Sequence, residues 1–282
     1  MDLLLSVSLR ALIPAAAGAA VLTIGRIRSA AARHAVWTVV TAGMLMSLVL
    51  TPLLPRIEAR VLPAATATAV PATSSADAVV AEPVTTSAAG ISWEQVAAIV
   101  YVVGAAMFLL RLAAGYGFTL RLVRGSRHVE GEIYESNRIA APMTMGWRSP
   151  RILLPLGWRE WDAARMQAVL AHERAHVRRG DWAVGGMAAV NRCVFWFHPL
   201  AWRLERKLAA LAEEACDDAA LLETGGRTQY AAILLEMAAA VKANRGRLVW
   251  EAMAMARVAD VSMRIDRILD ETRPISAGLS RR

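Results

Sequence analysis

The most informative stretch of the sequence is Ala171-His172-Glu173-Arg174-Ala175-His176. His172 and His176 are four residues apart, so in a helix both imidazoles lie on one face, about one turn apart. Two imidazoles so placed can bind one metal ion, and Glu173 beside them can accept a proton from a water molecule at that ion. This HExxH pattern is typical of zinc peptidases, and it predicts a helical Zn²⁺ site with Glu173 as general base.

A catalytic zinc ion takes three protein ligands, so a third ligand has to come from elsewhere in the chain. The best acidic candidates lie in the stretch from Leu211 to Asp218. His198-Pro199 predicts the start of a helix before this stretch, with proline at the first helical position. Gly225-Gly226 predicts the end of that helix. The third ligand is therefore expected on a second long helix.

Two acid pairs on this second helix have the spacing of a ligand and a supporting partner. Glu213 and Asp217 share one face, so one carboxylate could bind zinc while the other forms a hydrogen bond with a ligand histidine. Glu214 and Asp218 are related in the same way. A charged face in solvent would show the same pattern. Spacing alone leaves the choice between Glu213 and Glu214 open.

The HExxH motif is accompanied by several other recognisable segments. It is followed by Glu-x-x-Cys-Asp, which begins at Glu213. The further segments are Pro142-Met143-Thr144-Met145-Gly146, Ser149-Pro150-Arg151-Ile152-Leu153-Leu154-Pro155, Val177-Arg178-Arg179-Gly180-Asp181 and Phe195-Trp196-Phe197-His198-Pro199-Leu200. In this order they resemble the BlaR/MecR-type family of membrane metallopeptidases, the β-lactam sensor-transducers and their relatives. The resemblance extends over residues 138–270.

The resemblance implies a specific set of roles in the site. The zinc ligands would be His172, His176 and Glu213, with Glu173 as general base and Asp217 as the hydrogen-bonding partner of a ligand. The implied activity is that of a zinc endopeptidase in signal transduction. Its substrate would be a protein, either a cytoplasmic transcriptional repressor or the chain itself, cleaved after a signal from outside the cell.

Three segments are predicted to cross a lipid bilayer as helices, namely residues 3–24, 35–54 and 96–118. Each is long and apolar enough for a span. A buried core helix is the alternative, and it is stronger for the first and third segments because each contains an arginine. Residues 55–91 are rich in Pro, Ala, Thr and Ser, and they predict a loosely extended outer loop. Residues 1–119 would then form the transmembrane region.

The arginines near the spans predict the orientation of the chain. Those that flank the first inner loop are Arg26, Arg28 and Arg33, and those that follow the third span are Arg121, Arg124 and Arg127. By the positive-inside rule both groups lie in the cytoplasm. The N-terminus is then outside, and residues 120–282 form a cytoplasmic zinc metallopeptidase domain. The sequence thus predicts a multi-pass protein of the inner (plasma) membrane.

The expected fold is mainly α, with three N-terminal transmembrane helices before an α+β HExxH zinc-metallopeptidase domain that contains a small sheet. Strands are predicted at Ile133-Tyr134, Arg138–Ala141 and Arg151–Leu154. Asp162 would cap the zinc helix, which would end at Gly180. An edge strand of the sheet beside that helix could bind the substrate as an added strand.

Other classes of function receive less support from the sequence. The net charge of +8 comes without a recognisable nucleic-acid-binding module, so direct nucleic-acid binding is not expected. Up to Arg282 no fourth span and no penicillin-binding domain are predicted, so the chain is expected to be either a truncated form or a short family member that relies on a membrane sensor partner. The main alternative is a non-catalytic membrane scaffold or regulator that keeps the zinc site for stability. The intact Glu173 argues against it, because a structural zinc site needs no general base.

Overall fold

Helices form most of the structure, a computed structural model that describes residues 2–50, 92–243, 261–273 and 275. The α-helices are α1 (Asp2–Ile24), α2 (Ala30–Leu50), α3 (Trp93–Arg124), α4 (Ala163–Arg179), α5 (Asp181–Val194), α6 (Pro199–Thr224), α7 (Arg227–Ala243) and α8 (residues 261–269). The strands are β1 (Arg127–Glu130), β2 (Ile133–Ser136), β3 (Met143–Met145) and β4 (Arg151–Pro155), and a 3-10 helix, Leu156–Glu160, follows β4. The expectation of a mainly helical protein with a small sheet is confirmed.

The four strands form a mixed sheet in the order β1-β2-β4-β3. β2 pairs with β4 in parallel, and the two outer pairs are antiparallel. The central strand β4 is buried because Ile152, Leu153 and Leu154 all lie in the interior. β3 forms one edge of the sheet and contacts α4, the helix with the HExxH motif.

The prediction of a strand at Arg138–Ala141 is wrong, because these residues form turns and bends. The edge strand is instead β3, five residues further along the chain. Gly146 explains why the edge strand lies at β3, because its φ of 89° turns the chain back toward β4. A Cβ atom there would lie 2.8 Å from the carbonyl oxygen of Ser149. The segment directly before this turn is therefore the one that pairs with β4.

Local capping signals define both helices that carry the candidate ligands. The Asp162 carboxylate accepts a hydrogen bond from the backbone N–H of the first turn of α4, and Gly180 ends that helix with a left-handed φ of 67°. His198 caps α6 through Nδ1, and Gly225 ends it with a φ of 73°. These four positions agree with the boundaries that the sequence predicted, because capping depends on neighbouring residues only.

Two helices in the described part of the chain, α2 and α3, are long and apolar enough to cross a membrane by length and composition. The 32 residues of α3 span about 48 Å, more than the ~30 Å hydrocarbon core. The prediction of three such helices is met for two of them; in α1, the part whose side chains the structure describes is the apolar stretch Ser8–Ile24. The outer loop predicted at residues 55–91 lies outside the described residues.

The apolar N-terminal helices pack directly against the domain that carries the candidate site. Ala30 and Ala31, at the start of α2, form a buried cluster with Leu211 and Ala215 of α6. The small side chains let the two helices approach closely. α1 joins a second cluster, in which Ala11 packs with residues of α2 and α6. Helix α4, which carries the HExxH motif, also packs along α6. Helix α6 therefore lies between the apolar helices and α4.

Candidate metal centre

Helices α4 and α6 bring His172, His176 and Glu213 together. The Nε2 atoms of the two histidines are 3.2 Å apart. The Glu213 carboxylate lies 3.6 Å from each of them, through Oε2 to His172 and Oε1 to His176. One ligand atom from each of the three residues therefore lies within 4.8 Å of the others. The residues that were predicted as zinc ligands form one cluster.

Carboxylates on the far side of each imidazole orient the two histidines. His176 Nδ1 lies 2.9 Å from Oδ2 of Asp181. His172 Nδ1 lies 3.3 Å from Oδ1 of Asp217 and 3.0 Å from the hydroxyl oxygen of Tyr230, which itself donates to Asp217 at 2.8 Å. Each Nδ1 therefore carries the proton and donates it outward. Both Nε2 atoms then face Glu213, and each would offer its lone pair when a cation is bound.

The chemistry of this donor set fits a zinc ion. Three acceptor groups converge, and a cation at their centre would satisfy all of them. Ligands bonded at 2.0–2.1 Å to a tetrahedral ion lie roughly 3.3 Å apart, close to the observed separations of 3.2 and 3.6 Å. Two Nε2 atoms and one carboxylate also leave a position for water, as a catalytic site requires.

The electrostatics of the cluster also favour a positive charge at its centre. Burial lowers the pKa of His172, but hydrogen bonds and charge from Asp217 and Glu213 more than offset this and raise the pKa to about 10. Burial raises the pKa of both carboxyl groups, yet His172 and Arg264 bring each pKa well below its usual range. Both acids are therefore ionised, and they surround the histidines with negative charge.

Glu173 is buried beside this cluster, and strand β3 fixes its side chain. The Thr144 hydroxyl lies 2.7 Å from Oε2 of Glu173 and 3.1 Å from its backbone carbonyl oxygen. A hydroxyl that donates to one carboxylate oxygen restricts rotation of the side chain and leaves the other oxygen available. The edge strand and the candidate general base are thus joined by a direct contact.

The second acid pair faces away from the histidines, toward the C-terminal arginines. Glu214 lies 3.5 Å from Nε of Arg267, and Asp218 lies 3.3 Å from Nη2 of the same residue. Asp218 also contacts Arg273 at 2.7 Å. The geometry thus distinguishes two pairs that the sequence spacing left open, because it places Glu213 and Asp217 at the histidines.

Several residues of the site had not been singled out from the sequence. They are Thr144, Asp181, Tyr230 and Arg264, which come from four different elements. Asp181 had a local signal, since it directly follows the glycine that ends the HExxH helix. His34 of α2 also contacts Asp181, with Nε2 3.7 Å from Oδ1 of Asp181.

Cys216 completes a second group of potential metal ligands, together with His176 and Asp181. Its Sγ lies 3.6 Å from Oδ2 of Asp181. Burial raises the pKa of the Cys216 thiol far above its usual value, so the sulfur keeps its proton. Arg179 also occupies both oxygens of Asp181 at 3.1 Å. We therefore interpret this group as support for His176.

Both comparisons with known proteins show a similarity to BlaR1-type proteins. The family model described as BlaR1 peptidase M56 matches residues 4–268. The "Regulatory protein BlaR1" of Bacillus licheniformis is 31% identical over 111 residues, which is 39% of this chain. The matched region spans 18% of the length of that relative.

Proposed function

Since the chain belongs to the BlaR1 peptidase M56 family, we propose that it is an integral-membrane zinc endopeptidase of signal-transduction type. The observation that carries the proposal is the convergence of His172, His176 and Glu213, with Glu173 on the same helix as the two histidines. This combination of ligands and general base is the one that metal-assisted peptide hydrolysis needs.

The chain's own residues would divide the work of hydrolysis among them. His172, His176 and Glu213 would hold a zinc ion, which supplies a Lewis acid that activates water and polarises the scissile carbonyl. Glu173 would accept the proton of the attacking water and pass it to the leaving amine. Thr144 would keep the Glu173 carboxylate oriented through Oε2.

The edge strand β3 is the proposed binding surface for the substrate. Among the described residues β3 pairs only with β4, so its other side is the edge of the sheet. An extended peptide could add there as a strand through main-chain hydrogen bonds. Because Thr144 lies in β3 and contacts Glu173, a peptide bound along this edge would pass close to the general base. A cytoplasmic repressor, or a segment of the chain itself, would be the natural substrate.

Removal of zinc is the direct test of the proposed function. The purified full-length chain in detergent should cleave peptides in a mixture of diverse synthetic sequences, with mass spectrometry as the readout. A zinc chelator should reduce cleavage to background, and added Zn²⁺ should restore it, because the ion supplies the Lewis acid. Cleavage that persists after the zinc has been removed would contradict the proposal. Stoichiometric zinc without any cleavage, of the peptides or of the chain, would favour the scaffold alternative.

We propose that α2 and α3 cross the inner membrane with residues 120–282 on the cytoplasmic side, and that α1 is a third crossing with its N-terminus outside. The proposal rests on the arginine distribution and on the composition of the helices. Alkaline phosphatase fused within residues 65–85 should be active, and the same enzyme fused after Arg282 should be inactive, at equal expression on immunoblots. The opposite pattern would invert the topology and would exclude a cytoplasmic substrate.

A further inference from the structure

Helix α8 reaches the metal centre through the side chain of Arg264. The guanidinium Nη1 lies 2.8 Å from Oε2 of Glu213. Its Nε and Nη2 lie 2.9 and 2.7 Å from the two oxygens of Asp217. Arg264 therefore contacts both the proposed third ligand and the carboxylate that faces Nδ1 of His172. α8 is separated from α6 by more than 35 positions in the sequence, yet it contributes directly to the site.

The geometry of this contact restricts both carboxylates at once. A guanidinium is planar, with its five donors in a fixed fork, so two bonds to Asp217 determine the direction in which the third donor points. That donor binds Oε2 of Glu213 and leaves Oε1 facing Nε2 of His176 at 3.6 Å. Asp217 and Glu213 carry like charges one helical turn apart, and the positive charge of Arg264 offsets their repulsion.

We propose that Arg264 is a positioning residue of the metal centre, which holds Glu213 in the orientation that binds the ion and Asp217 against His172. The inference rests on the proposed function, since it assumes that Glu213 is a zinc ligand. Partners that orient metal ligands contribute strongly to affinity, and their loss typically costs about 10–100-fold. The structure thus assigns a part in metal binding to the C-terminal helix.

Two other arginines, Arg267 and Arg273, also attach this C-terminal segment to α6, but they do not contact the candidate ligand. Arg267 contacts Glu214 and Asp218, and Arg273 contacts Asp218 at 2.7 Å. Neither contact involves Glu213 or Asp217. Arg267 and Arg264 are similarly accessible, since 21% of the Arg267 side chain and 17% of the Arg264 side chain are exposed. Arg267→Ala is therefore a matched control that weakens the attachment of α8 without touching the candidate ligand.

The experiment measures the zinc affinity of the full-length chain in detergent by competition with a chromophoric chelator. Arg264→Ala should weaken affinity by about 10–100-fold, whereas Arg267→Ala should bind zinc like the wild type. Because Arg264 also compensates the buried charge of Asp217, Arg264→Lys is the second variant. Lysine keeps the charge but lacks the fork, so its affinity should fall between those of the wild type and Arg264→Ala. Melting temperatures of the metal-free proteins report the structural cost of each change.

The possible results distinguish this inference from the proposed function. Equal losses of zinc affinity in Arg264→Ala and Arg267→Ala would overturn the inference, because they would mean that Arg264 only fastens α8. Wild-type affinity in Arg264→Ala or in Arg264→Lys would also overturn it, while zinc lost in His172→Ala would leave the proposed function standing. If the wild type itself binds no zinc, the proposed function fails and the inference fails with it.

Discussion

Glu173→Gln is expected to lower the rate of peptide cleavage by about 10²–10⁴-fold, the usual contribution of a general base. The amide has nearly the same shape as the carboxylate, but it cannot accept the proton of the attacking water. The hydroxyl of Thr144 can still donate to the amide oxygen, so the side chain should stay in place. Zinc should remain bound at one ion per chain, because Glu173 is not among the converging ligands. The measurements are the cleavage rate of the peptide mixture and the metal content of the purified protein.

A neighbouring position provides the control for this variant. Arg174 lies on the same helix, is about half exposed, and pairs with Glu132 at 2.9 Å. Arg174→Gln changes one charge at a variable position within the motif without removing a proton acceptor, so cleavage should stay near the wild-type rate. Equal rates for Glu173→Gln and the wild type would refute the peptidase proposal. Loss of zinc in Glu173→Gln would instead show that the residue supports the ion.

The sequence predicted the helices of the site well because the relevant signals are local. Asp162 and Gly180 delimit the HExxH helix through hydrogen bonds and backbone angles within a few residues of its ends. His198 and Gly225 do the same for the second helix. The spacing of the two histidines then determines their common face, whatever else packs against the helix. Local chemistry of this kind is fully contained in the sequence.

The strands were harder to predict because pairing depends on what lies next to each strand. Residues 138–141 are predicted as a strand, but the turn at Gly146 makes the following segment the partner of β4. The spans show a related difficulty. The segment 3–24 is apolar, yet part of α1 is buried against protein, where Ala11 joins a cluster with Met44 and Phe195. Apolar composition does not distinguish a protein neighbour from lipid.

Two supporting residues of the site could not have been found from sequence spacing. Tyr230 and Arg264 lie on helices far along the chain from the HExxH motif, and only tertiary packing brings Tyr230 to His172 and Arg264 to Asp217. The same packing determines which acid pair of α6 faces the histidines, Glu213 with Asp217 or Glu214 with Asp218. Rotation by one residue separates Glu213 from Glu214 by about 100°, and the position of α4 decides which of them faces the histidines.

Glu213→Ala is expected to lower the affinity for zinc by more than about 100-fold, beyond the range for residues that only support a ligand. The change removes one of three ligands and leaves two histidines, which together cannot complete a catalytic zinc site. Arg264 would keep both of its bonds to Asp217, so α8 should stay attached. Metal analysis after dialysis, with competition titration for the affinity, measures the effect. Cleavage of the peptide mixture should fall to background together with the zinc.

The matched control for this prediction is Glu214→Ala, one position further along the same helix. It removes an equal carboxylate, but one that faces Arg267 instead of the histidines. Zinc affinity should therefore stay at the wild-type level, although the attachment of α8 loses one ion pair. If Glu214→Ala lost zinc and Glu213→Ala kept it, α6 would have to be rotated by about 100° relative to α4. Such a rotation would remove Asp217 from His172 and Tyr230, so the same pair of variants tests the packing of the two helices as well as the identity of the third ligand.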